Sequence, residues 1–138
     1  MEGEEIFKQE LVSELLVVAD LMEKEKNLDK KIYYFSAAYG ITGRTFRYFF
    51  SQEVLLADLV LNACYQSLYG RYQSMRSGDT TIVIDSVVFE RVIDGLRHLA
   101  ECFDSGEPIQ KPLENILTAS FSTTGPGNYL REKGAFKL

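Results

Sequence analysis

From Phe46 to Tyr69 the chain contains neither glycine nor proline, and its apolar residues recur at helical spacing. Phe46, Phe50, Val54, Ala57, Leu61, Cys64, Leu68 and Tyr72 form one stripe, and Phe49, Leu56, Val60 and Ala63 a second. Tyr48, Leu55, Leu59, Tyr65 and Tyr69 extend the apolar surface nearly round the back. A helix that is apolar on almost every side is buried on almost every side. A helix of about 30 residues is about 45 Å long, which is more than a small domain can surround by itself. The run therefore predicts an all-α fold with this helix at its centre and a second copy of the chain covering the remainder.

The neighbouring segments read as further helices. From Glu4 to Lys26, Phe7, Leu11, Leu15, Val18 and Met22 make a stripe widened by Val12, Leu16 and Ala19. Glu10, Glu14, Asp20 and Glu23 lie outside it, as in an amphipathic helix with acids in its early turns. Asn27 reads as a stop or hinge. Leu28, Ile32, Phe35 and Tyr39 carry a second helix to Gly40, where "GITGRT" breaks the pattern and offers Thr42 or Thr45 as the next N-cap. "RSGDTT" is a loop, "TIVID" an extended lead-in, and Asp85 the cap of a helix ending at Ser105-Gly106. Leu113, Ile116, Leu117 and Phe121 support one last short helix. The expected architecture is a single-domain bundle of about five helices over residues 1–121, with a Gly/Pro-containing tail over 122–138.

The charge is unevenly spread. Residues 1–29 hold nine acids against three lysines, a net of −6; residues 30–76 hold six bases against two acids, a net of +4; residues 77–138 hold nine acids and six bases, a net of −3. Overall the chain carries −5, which argues against a general binder of nucleic acid or anionic membrane. The opening "MEGEEIFKQE" lacks the basic-then-apolar order of a secretory signal, and no apolar run approaches the roughly 20 residues of a membrane span. A cytoplasmic location is expected, with Cys64 and Cys102 as small buried hydrophobes.

Two segments carry candidate chemistry. "KKIYYFSAAYGITGRTFRYFF" interleaves aromatics with bases, as single-strand binders do to stack bases beside phosphates. Within the basic middle, 30–76, the candidate anion or nucleic-acid contacts are Lys30, Lys31, Arg44, Arg47 and Arg71. The competing reading is helices that pair with the acidic ends of the same fold, and aromatics that fill its core.

The second segment is "ERVIDGLRHLAECF", residues 90–103, which holds the single histidine. On a helical wheel at about 100° per residue, Val88, Phe89, Val92, Ile93, Leu96, Leu99, Ala100 and Phe103 fill one face. Glu90, Arg91, Asp94, Arg97, His98 and Glu101 fill the other. Arg91 and His98 thus share the polar face, and Gly95 between the faces leaves room for another backbone. Asp94 and His98, four apart, read as a local pair. An arginine followed at this distance by a histidine resembles the motif of HEPN-type ribonucleases, from which the sequence departs at Val92, a position that is usually polar. The resemblance spans eight residues. It implies a catalytic pair meeting across a dimer cleft, Arg91 neutralising phosphate and His98 moving a proton.

One histidine cannot supply the ligand sets of di-metal bundles, so neither metal nor cofactor is expected. No nucleophile accompanies His98 in sequence. The reading taken is a non-enzymatic helical module acting through protein contacts and self-association. Nucleic-acid or nucleotide binding by segment 30–76 is the alternative, in its ribonuclease form through Arg91 and His98.

Overall fold

The computed structural model describes residues 2–121; the 122–138 tail lies outside them. Five α-helices follow in order: α1 (Glu2–Lys24), α2 (Leu28–Tyr48), α3 (Gln52–Arg76), α4 (Ser86–Ser105) and α5 (Gln110–Phe121). No strand occurs among the described residues, and no helix there is long and apolar enough to cross a membrane. The all-α reading holds.

Local chemistry sets most boundaries. Asn27 is an N-cap, its side chain accepting from the Lys30 N–H. Asp85 caps α4 by accepting from the N–H groups of Val87 and Val88, and Gly106, at φ 81°, closes it in the left-handed region. Between α3 and α4, buried Ile82 and Ile84 alternate with exposed Val83, the pattern of an extended segment lying on the core.

The "GITGRT" stretch does not break the chain. α2 runs straight through it, and the turn falls instead at Phe49–Ser51, where Ser51 caps α3 by accepting from the Val54 N–H. The reason is tertiary. Thr42 and Thr45 do not cap; their hydroxyls fold back to donate to the carbonyls of Tyr39 and Ile41, both at 2.9 Å. Thr42 also reaches the Asp58 carboxylate of α3 at 2.9 Å, and a Cβ on Gly43 would lie 3.3 Å from the same oxygen. Gly43 is a point of contact between helices, not a helix end.

The central-helix expectation is corrected too. α1 packs on α2 and α4, α2 on α3, α3 on α5, and α5 on α4, so the helices close a ring in the order α1, α2, α3, α5, α4. One apolar cluster takes residues from all five, among them Leu15, Phe35, Leu61, Phe89, Leu96 and Ile116. α3 forms a wall of this ring. Val54, Ala57, Leu61, Cys64, Leu68 and Tyr72 turn inward, while Leu55, Leu56, Leu59 and Tyr69 face outward, exposed by 37, 40, 59 and 47%. Both cysteines are free and buried.

Candidate functional site

Arg91 and His98 line one groove. It measures about 530 Å³ and lies between α4 and α5, bounded by Arg91, Asp94, Gly95 and His98 on one side and Asn115 and Thr118 on the other. Asp85 starts α4, and the seven-residue spacing then brings both side chains to one face about 10 Å apart along the axis. Gly95 makes the groove narrow. A Cβ there would stand 2.4 Å from Cγ1 of Ile116 and 3.5 Å from the Pro112 carbonyl, so α5 is seated where a side chain would otherwise be. The room at Gly95 is thus taken by a helix of the same chain.

Asn115 and Thr118 are the residues that sequence reasoning did not find. They flank Ile116, the residue seated on Gly95, and the only signal for them was a polar pair three apart in an apolar helix. Arg91 and Asp94 are exposed and His98 is half-buried. The expected Asp94–His98 pair does not form: among the described residues no hydrogen bond or ion pair joins Arg91, Asp94 and His98, and each keeps its donors and acceptors for a ligand or water. The neighbouring Arg97 is committed. It ties α4 to α1 through Asp20, at 2.9 Å, and Glu23, and these carboxylates raise its pKa above the ordinary guanidinium value. The groove offers an oxyanion one permanent cation, one imidazole, an amide and a hydroxyl, with the Asp94 carboxylate opposing the positive charge.

The five basic candidates of the middle segment do not form one surface. Lys30 is exposed at the start of α2. Lys31 is buried, its ammonium donating to the carbonyl of Met22 near the C-terminus of α1, so its charge serves the last turn of that helix. Arg44 pairs with Glu14 of α1. Arg71 turns toward α5, donating to the Ser67 hydroxyl at 3.1 Å, which itself donates to the Ser120 carbonyl. Arg47 is exposed, facing a second groove between α2 and α3. Arg76 pairs with Asp29 at 2.8 Å. Lys31 and Arg44 thus meet the acidic α1, and Arg76 the acidic first turn of α2, the competing reading of the charge pattern.

A contrast between two of these residues tests the assignment. Lys31→Met keeps the aliphatic stem and removes the bond to Met22; it is expected to lower stability by about 1–2 kcal/mol in urea titrations. Arg47→Met should change it by less than about 0.5 kcal/mol. Equal losses would contradict the distinct roles given to the two cations.

Comparison with known proteins finds no matching family, no similar sequence among curated proteins and no similar solved structure.

Proposed function

We propose that this chain is a non-enzymatic, self-associating helical module of the cytoplasm, residues 1–121 forming one domain that pairs with a second copy through the outer face of α3. One observation carries the reading. Between Val54 and Met75 the exposed positions of α3 hold leucine, asparagine, alanine, glutamine, tyrosine, glycine and serine, and no charged residue. A protein surface normally carries charge at about a quarter to a third of its positions, and an uncharged face that exposes Leu55, Leu56, Leu59 and Tyr69 together is the kind that marks an interface.

The occupant is a second copy because the face suits itself. In a two-fold interface every residue meets its own patch, so an exposed charge near the axis would face its own like; here there is none to repel. The exposed charges of α3 sit at its ends, Glu53 in the first turn and Arg76 in the last. Antiparallel pairing sets each acidic end beside the partner's basic end and opposes the two helix dipoles.

Sedimentation equilibrium of the full chain tests this. At tens of micromolar the expected mass is twice the 15.7 kDa of one chain. Leu59→Arg, at the most exposed leucine of α3, should return the mass to one chain with the helical circular dichroism unchanged. A monomeric parent, or a Leu59→Arg variant that still pairs, would overturn the reading.

A second reading has one observation in its favour: Arg91 and His98 line a single groove. The resemblance to HEPN-type ribonucleases implies a cleft at the dimer axis. α3 packs chiefly on α2 and α5, whereas the groove of Arg91 and His98 lies between α4 and α5, so pairing through the outer face of α3 holds the two α4 grooves apart. RNA cleavage that His98→Ala abolishes without moving the melting temperature would favour this second reading. A parent that cleaves no RNA removes it.

A further inference from the structure

The groove between α2 and α3, about 520 Å³, has a composition unlike the first. Its α2 side is Gly40 and Gly43, bare of side chains, between the aromatic rings of Tyr39 and Phe46. Those rings lie seven residues apart, hence on one side of the helix and about 10 Å apart along its axis. Each is held by another ring: Tyr39 by Tyr65 at 5.4 Å, and Phe46 by Phe50 at 5.3 Å. Asp58 and Asn62, one turn apart on α3, form the opposite wall. Arg44 and Arg47 stand at the rim, and Glu14 already neutralises Arg44. Arg47 has no hydrogen-bond or ion-pair partner among the described residues.

We propose that this groove binds a nucleoside monophosphate. The base lies over the two glycines between Tyr39 and Phe46, its amino edge turned to Asp58 and Asn62, and the phosphate rests on Arg47. Each part follows from the chemistry of the wall. A flat ring fits where two successive turns of α2 lack side chains and aromatic residues line both ends. The Asp58 carboxylate accepts only. One of its oxygens accepts from the Thr42 hydroxyl, and both keep lone pairs for N–H groups of a base. Guanine presents two adjacent donors to such an acceptor and adenine one, so the guanine nucleotide is preferred. The single unpartnered guanidinium matches one phosphate and not a run of them, which selects a mononucleotide over a polynucleotide strand. The site is built from one copy of the chain, and at Asn62 its wall borders the outer face of α3.

Isothermal titration of the full chain with GMP is the test. One site per chain is expected, with guanosine, inorganic phosphate and AMP each binding about tenfold or more weakly. Gly40→Leu fills the groove, and since a Cβ at Gly40 meets nothing within 4 Å and leucine is the better helix former, it should raise the melting temperature slightly and keep the parent's sedimentation while losing GMP. Arg47→Met should weaken GMP about tenfold and leave guanosine unchanged. No heat with GMP, GMP binding unaltered in Gly40→Leu and Arg47→Met, or a single-stranded oligoribonucleotide that binds without competition from GMP would each overturn the proposal.

Discussion

Gly95→Leu is expected to lower stability by about 2–3 kcal/mol, read as a shift of the urea midpoint with little change in slope. The Cβ alone would lie 2.4 Å from Cγ1 and 3.1 Å from Cδ1 of Ile116, and 3.5 Å from the Pro112 carbonyl. Ile116 is fully buried and cannot swing clear, and the Pro112 carbonyl moves only if the first turn of α5 moves. Leucine's better helix propensity returns about 0.8 kcal/mol, less than overpacking costs. A double-mutant cycle locates the clash. Ile116→Ala alone should cost about 2–5 kcal/mol, and Gly95→Ala with Ile116→Ala should cost less than the sum, because the new methyl occupies the vacated space. Additive losses would mean that α5 is not seated on Gly95.

The largest pH effect belongs to Cys64. Burial pushes its thiol from the ordinary value of 9.0 up to about 12, against a smaller opposing effect of the Ser120 hydroxyl. The native state therefore keeps its proton where the unfolded chain has lost it. Above pH 9 the unfolded chain binds fewer protons, so stability falls as pH rises and levels off only beyond about 12. Below pH 9 the thiol contributes no slope. At about 1.36 kcal/mol per unit, the loss from this group reaches about 2 kcal/mol at pH 10.5. Tyr65, raised by burial and by Tyr39 and Tyr69, and Cys102, raised by burial and by Glu107 and Glu101, act in the same direction. Cys64→Ala separates them: its stability should fall less steeply with pH than the parent's, the two curves converging by about 2 kcal/mol between pH 8 and 10.5. Parallel curves would place the Cys64 thiol in contact with water.

The helix α4 was legible almost whole, and α2 and α3 were not, for reasons that differ in range. The start of α4 at Asp85, its stop at Gly106 and its buried face from Phe89 to Phe103 depend on residues within a turn of where they act. Thr42 and Gly43 depend on Asp58, fifteen and more residues away, so a local reading took them for an ordinary turn. The apolar run of α3 misled in another way. Pattern shows how much of a helix is apolar but not which part meets its own fold, and here the inner stripe does so with Val60, Tyr65 and Met75 at its margins, while Leu55, Leu56, Leu59 and Tyr69 stay outside. The polar face of α4 was correctly drawn and incompletely interpreted. Arg91 and His98 were visible by spacing, whereas Asn115 and Thr118 become their neighbours only because Ile116 seats on a glycine about twenty positions earlier.

The ring has a temporal consequence. α1 meets α4, and α3 and α4 each meet α5, the last helix of the circuit. Until residues 110–121 emerge from the ribosome, Gly95 and Ser67 lack Ile116 and Ser120, the α5 residues that meet them, and a nascent chain can form only the α1–α2–α3 arc and the α1–α4 contact. Of these contacts α1–α4 joins the elements farthest apart in sequence, so its loop closure weighs most on the folding rate. The wait for α5 exposes the incomplete arc to other chains during synthesis. A ribosome paused before Gln110 should hold a protease-sensitive chain, and release of twelve more residues should make it resistant in one step.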